Sequence, residues 1–256
     1  NPYFSRAIVN RVWANFYGVG LVENVDDLRV TNPASNEKLL SAAANYLAEQ
    51  KFDLRALMRA MLQSETYQRS SQPLPGNAAD TRFYSRYYPR RLMAEVLLDA
   101  LSQVTGVPTD FKGETIRGGN APIAYPAGWR AIQLPDVGVD SYFLKTFGRP
   151  DREKTCECER TAEPSVSQVL HMANGDTINK KLTAKEGRIT QLLDEKIPPE
   201  KIIEEAYLSS YARYPTAAEK EKVLPYIKAA EPSAFRAMIE DTYWALLSSK
   251  EFLFNH

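Results

Sequence analysis

The sequence predicts an all-α fold: a helical-bundle-like domain interrupted by one long Gly/Pro-rich loop and holding at most a small β-hairpin. Three observations carry that prediction. Apolar residues recur at i, i+3, i+4 and i+7 along most of the chain. Capping residues and glycines bound those stripes where helix termini need them. Runs that alternate apolar with polar residues, the mark of a half-buried strand, are scarce. About eight to ten helices are expected.

Taken in order, Asn1 caps a first helix and Pro2 fits its first position, where a missing N–H costs nothing. Phe4, Ile8, Val9, Val12, Trp13 and Phe16 form its stripe, and Gly18 ends it. After Gly20 and the pair Asp26-Asp27, Ser35 or Asn36 caps a second helix running to about Glu49, with Leu39, Leu40, Ala43 and Leu47 inward. Asp53 caps a third, striped by Leu54, Leu57, Met58, Met61 and Leu62. Residues 70–80 shift to Ser, Pro, Gly and Asn, a loop or soft boundary. A secure helix follows, with Leu92, Val96, Leu97, Ala100, Leu101 and Val104 inward and Gly106 at its end.

Between 107 and 140, Gly113, Gly118, Gly119, Pro122, Pro126, Gly128, Pro135 and Gly138 interrupt any pattern. Long connections of this kind are usually functional or mobile. Only residues 129–134 suggest a short strand. Helical spacing returns with Val166, Val169, Leu170 and Ala173, starting near Pro164 and ending at Asn174-Gly175, with Asp176 capping a further turn. An amphipathic helix spans 199–214. The capping box from Thr216 to Glu219 opens another, which Pro225 bends or shortens. The last is expected over about 233–252. A faint echo links RAMLQSETY at 59–67 to WALLSSKEF at 244–252, the signature of a duplicated helical pair.

Composition narrows the function classes. The chain has 256 residues, 44% hydrophobic and 25% charged, with mean hydropathy −0.41, ordinary values for a globular domain. Its 32 basic residues balance 32 acidic ones, so no global field draws nucleic acid or an anionic membrane. No apolar run approaches the roughly 20 residues that span a bilayer, and no signal peptide opens the chain. It starts at Asn1-Pro2, directly on a helical pattern, and is read as a domain of a longer protein.

Chemistry-bearing residues concentrate in 149–175, which holds both cysteines, one of the two histidines and a dense alternation of charge. Cys156 and Cys158 lie one residue apart. In an extended segment their side chains share one side, close to the upper distance limit for a bridge. Three readings follow: a structural disulfide or packed thiols within an ion-pair lattice, a redox dithiol, or a soft-metal site with His171 as third ligand. Arg149, Arg152, Lys154 and Arg160 would favour a thiolate. Pro164 sets the start of the helix that carries His171, so a returning turn would bring the imidazole toward the thiols.

A second candidate is RFYSRYYPRR at 82–91. Arg82, Arg86, Arg90 and Arg91 interleaved with Phe83, Tyr84, Tyr87 and Tyr88 make a face able to hold an anion or flat ring. The plainer reading has the tyrosines lidding the next helix while the arginines reach solvent or pair with the acids of 151–163. A pocket would gather Arg90, Arg91, Trp129, Arg149, Glu157 and Arg160 beside His171. Trp129 and Tyr125 face a ligand or plug their own loop. Other catalytic templates are missing: no Gly-x-Ser-x-Gly, no His-Glu-x-x-His, no phosphate loop and no dinucleotide fingerprint.

Five strings, NPYFSRAIVNRVWANFYG, SRYYPRRLMAEVLLDALSQVTG, SYFLKTFGRPDREKTCECER, EPSVSQVLHMANGDTINKKL and WALLSSKEFLFNH, together resemble domain of unknown function 1553, a planctomycete family, over essentially the whole chain. The resemblance implies one family-length domain over 1–256, with a soft boundary near 70–80, the irregular loop at 107–140 and a C-terminal helical part at 184–256. It implies a secreted, periplasmic or cell-envelope setting within large proteins that often carry c-type cytochrome domains. Haem is expected only in such neighbours, because attachment needs Cys-x-x-Cys-His and this chain has Cys-Glu-Cys-Glu-Arg. No other cofactor is expected, a metal at the cysteine pair aside. Partners are then neighbouring domains, possible c-type cytochromes among them, with no nucleic acid and no transmembrane segment in this piece. The expected role is an extracytoplasmic interaction or accessory domain. The alternative is an enzyme, or part of one, with a Cys-x-Cys/His site acting on polysaccharide or another envelope substrate.

Overall fold

The computed structural model of the chain describes residues 1–115, 122–135, 138–150 and 165–255. It is mainly helical, as expected. Among the described residues there are twelve α-helical segments, a 3-10 turn and little strand. The count exceeds eight to ten because several helices have only four to seven residues, too short to display a full apolar period. The chain divides into two compact units, one over Asn1–Arg90 and one over Arg91–Asn255.

The first unit contains α1 (Pro2–Tyr17), α2 (Glu37–Glu49) and α3 (Leu54–Leu62). Each begins on the residue type that helix physics selects. Asn1, Asn36 and Asp53 accept first-turn N–H groups through their side chains, satisfying donors that have no partner within the helix. Val9, Trp13, Tyr17, Leu40, Leu47, Leu57 and Met61 bury together with Tyr84 and Tyr88. Tyr84 and Tyr88 of the Arg-rich segment thus pack into the first core, where Tyr84 meets Trp13 and Tyr17 edge-on. Segment 70–80 belongs to this unit: Ser70 accepts the Tyr87 N–H at 3.1 Å and Asn77 donates to the Ser85 carbonyl at 3.4 Å.

The second unit is built around α4 (Ala94–Thr105), whose Leu97, Leu98 and Leu101 are at most 1% exposed. A helix apolar on so many sides has to be central. Around it lie α5 (Tyr142–Thr146), α6 (Val166–Asn174), α7 (Asp176–Leu182), α8 (Arg188–Asp194), α9 (Pro199–Tyr211), α10 (Ala217–Ala229), α11 (Phe235–Leu247) and α12 (Lys250–Leu253). Their core includes Phe143, Leu144, Ile178, Ile202, Ile203, Tyr243 and Leu247. The one long helix expected over 233–252 is two, because Ser249 accepts the Phe252 N–H and caps a new turn. α10 runs through Pro225 to Ala229 and is not shortened there.

The small hairpin forms from Lys112–Thr115 and Pro122–Ala124, antiparallel. Residues 129–134, expected as a strand, instead hold the 3-10 turn Ala131–Gln133. Asp99 on α4 explains it: its carboxylate accepts the Ala131 N–H at 2.6 Å and the Ile132 N–H at 3.1 Å, a side-chain cap that favours a helical turn.

The echo between 59–67 and 244–252 has a counterpart in three dimensions. Tyr17, at the end of α1, donates its hydroxyl to the Met61 carbonyl at 2.9 Å and shares a 2.8 Å bond with Ser64 Oγ. Tyr211, at the end of α9, does the same to the Leu246 carbonyl at 3.2 Å and Ser249 Oγ at 2.7 Å. Each serine accepts the N–H of an aromatic residue three positions on, Tyr67 or Phe252. Each tyrosine packs on the aromatic residue four before it, Trp13 or Tyr207, and is followed by a left-handed residue, Gly18 at φ 88 or Ala212 at φ 55. The arrangement α1–α2–α3 therefore recurs as α9–α10–α11.

Candidate functional site

Cys156, Glu157, Cys158 and Arg160 lie outside the described residues, as does the whole acidic stretch 151–163 expected to pair with the arginines. The other candidates can be placed. Arg90, at the end of the first unit, donates to the carbonyls of Ala14 at 3.2 Å, Asn15 at 2.5 Å and Phe16 at 3.2 Å. The last carbonyls of a helix lack partners and carry the negative end of its dipole, so a guanidinium there stabilises α1. Gly18 permits the approach: a Cβ at that residue would lie 2.8 Å from Arg90 Cδ.

Arg91 opens the second unit and turns to α5. It donates to the Phe147 carbonyl at 3.0 Å, with its guanidinium carbon 5.4 Å from the Phe147 ring centre. Arg149 follows two residues after Phe147, its side chain 7% exposed and its Nε 3.7 Å from Glu95 of α4. Arg91 and Arg149 are thus brought to the same end of α5, with a buried carboxylate beside them. Arg90 is not part of that group. Arg86 donates to the Tyr87 carbonyl at 3.3 Å and stacks 5.3 Å from the Tyr88 ring centre. Arg86 and Arg90 therefore serve separate local structures of the first unit, and Arg91 serves one of the second. Trp129 is half-buried against the second core, 5.8 Å from the Tyr125 ring.

His171 lies on α6, which begins at Ser165 in a capping box with Gln168. Its ring is surrounded by Tyr142, Phe143 and Phe147, and its Nε2 is 3.0 Å from Thr177 Oγ1. Burial pushes the imidazole below its usual pKa, with Asp176 pulling the other way. Among the described residues, no group of three or more His, Cys, Asp or Glu side chains could hold a metal ion.

Sequence reasoning passed over Lys181. It occupies a core-facing position of α7, one turn after Ile178, and is only 7% exposed. Its ammonium donates to the Val107 carbonyl at 2.7 Å and to Ser102 Oγ at 3.1 Å. Burial lowers its pKa to about 8, against the pull of Asp110 and Asp99. The available signal was its place in the stripe Ile178, Lys181, Leu182, where an apolar residue belongs.

A family model described as PSD1: Protein of unknown function (DUF1553) matches residues 1–227. No curated protein and no solved structure matches.

Proposed function

The chain belongs to the family of proteins of unknown function DUF1553, and from that premise we propose that it is an extracytoplasmic accessory module of a larger protein. In this reading it docks neighbouring domains, c-type cytochrome domains among them, and turns over no substrate itself. One observation carries the reading: among the described residues, which do not include Cys156 and Cys158, the candidate side chains that can be placed are engaged in holding the fold. Arg90 binds the end of α1, His171 meets Thr177 within an aromatic cage, and the Lys181 ammonium is anchored in the core. Groups committed in this way rigidify a scaffold and are poorly placed to meet a substrate. Among the described residues no helix is long and apolar enough to cross a membrane. The oxidising setting this reading entails favours a Cys156–Cys158 disulfide over a persistent dithiolate.

The test is to immobilise the isolated chain, add separately expressed haem-bearing domains of the longer protein, and follow their retention by haem absorbance. Retention of the haem-bearing domains supports the module. Their passage unbound, or turnover of an envelope polysaccharide by the isolated chain, overturns it.

A further inference from the structure

Comparing the two copies of the three-helix arrangement exposes what the first copy has in addition. In the second copy only residues 212–215 lie between α9 and the α10 cap Thr216. In the first, residues 18–35 lie between α1 and the α2 cap Asn36. The longer connection supplies Leu21 and Val22 to the first core and carries further residues, Val30 among them, out to the surface.

The added segment is held to a fixed shape. Asn10 of α1 is 0% exposed. Its amide donates to the carbonyls of Val22 at 3.0 Å and Val25 at 3.2 Å and accepts the Val22 N–H at 2.9 Å. The Ser35 N–H closes the segment on the Leu21 carbonyl at 2.7 Å, and Asn32 donates to the Asp27 carbonyl at 3.0 Å. A compact loop whose ends meet and whose base is pinned by a buried amide is a frequent carrier of function.

That segment, with the exposed flanks of α1 and α2, walls an open cleft of about 400 Å³ lined by Tyr3, Arg6, Arg29, Val30, Asn32 and Glu37 among others. The size falls within the range of small-ligand sites, about 300–1,000 Å³. Its floor is apolar and continuous with the first core through Val22, 2% exposed. At its mouth two apolar side chains stand in solvent, Tyr3 at 58% and Val30 at 92% exposure.

The charges select the ligand. Arg6 pairs with Glu37 through both nitrogens of its fork, at 2.5 and 2.9 Å, and also reaches Ser41 Oγ. Arg29 pairs with Asp27 in the same two-pronged way, at 2.7 and 2.6 Å. Each cation is matched, so a phosphate or carboxylate would have to displace a bidentate partner before binding. Hydroxyl groups need no such displacement, because each can donate to a carboxylate lone pair and accept from a remaining guanidinium N–H. An exposed tyrosine ring offers the apolar face of a sugar a platform. We infer that this cleft binds a neutral polyhydroxylated ligand, a short uncharged oligosaccharide, with Tyr3 as the stacking face and the Arg6–Glu37 pair as the hydroxyl-reading group.

This site goes beyond the docking role proposed above and does not depend on it. The experiment is calorimetric titration of the intact chain with cellotriose, maltotriose and chitotriose, and with inorganic phosphate and trigalacturonate as anionic probes. At least one neutral trisaccharide should bind with Kd under about 10 mM. Tyr3→Ala, an exposed change, should weaken that binding about tenfold or more while leaving the melting temperature unchanged. Tyr226→Ala, an equally exposed tyrosine in the second unit, should leave binding as it was. Failure of all three neutral probes, stronger binding of an anion, or full affinity in the Tyr3→Ala protein would each overturn the inference.

Discussion

Replacing Tyr17 by Phe removes one hydroxyl and nothing else, which makes it a clean probe of the recurring lock. The hydroxyl is bonded at 2.9 Å to the Met61 carbonyl and at 2.8 Å to Ser64 Oγ. The Met61 carbonyl is not orphaned by the change, since the Ser64 hydroxyl lies 2.7 Å from it and is free to donate there once the Tyr17 hydroxyl is gone. The expected loss is that of about one to two neutral hydrogen bonds, roughly 1–2 kcal/mol. For a chain of this size it should appear as a fall of about 2–8 °C in melting temperature. Ser64→Ala should cost a similar amount, and the pair should be coupled by about 0.5–1 kcal/mol because both side chains share one bond. Tyr211→Phe and Ser249→Ala should reproduce the pattern in the second unit. Urea titration followed by circular dichroism gives the energies, and hydrogen exchange at the ends of α3 and α11 assigns each loss to its own unit. If Tyr17→Phe melts with the wild type, or if the Tyr17 and Ser64 changes add without coupling, the lock is only a coincidence of placement.

The two left-handed residues that follow the locking tyrosines should respond in opposite directions. Gly18→Ala should lose about 1–2 kcal/mol to the positive φ, with further loss from the clash with Arg90, whereas Ala212→Gly should gain up to about 1 kcal/mol, both read by thermal melting. Lys181 has a folded pKa depressed to about 8, so the unfolded chain binds more protons between there and the ordinary lysine value. Wild-type stability should therefore rise relative to Lys181→Met as pH climbs through that window, and a flat difference from neutral pH upward would refute the burial. For Asp80, burial works to raise the carboxyl pKa, but bonds from Ser85, Phe83 and Arg82 outweigh it and hold the group well below the usual range. Asp80→Asn should cost about 1 kcal/mol at neutral pH, and the difference from wild type should shrink as pH falls below the unfolded carboxylate value toward the folded one. Intact mass in air should show the cysteine pair about two hydrogens lighter than after reduction, and Cys156→Ser should abolish the difference.

Much of the fold could be read without coordinates because helix ends are chemically local. Asn36, Asp53 and Thr216 cap through bonds to N–H groups two or three residues away, a distance over which sequence is structure. Gly106 ends α4 at φ 69 for the same kind of reason. One misreading is local, the Ser249 cap that splits 233–252; two others involve partners distant in the chain. The turn at 131–133 depends on Asp99, thirty-two positions earlier. The Arg-rich segment resembled one face because its residues are neighbours in sequence. On extended backbone, however, successive side chains point to opposite sides, and Arg90 and Arg91 reach different helices. Of the candidate site, His171 could be put on its helix from the sequence, while the aromatic cage around it could not.

Helical class, most helix termini, the family and the hint of a repeat are legible in the residues alone, because caps, period and motif act over a few positions. What the residues alone do not reveal is that the division falls at Arg90, that Arg90 and Arg91 reach different helices, that Lys181 is buried, and that residues 18–35 wall a cleft. Those outcomes turn on which carbonyl, ring or carboxylate arrives from a remote segment. A single sequence carries the residue types for such meetings but not the loop closures that bring them about.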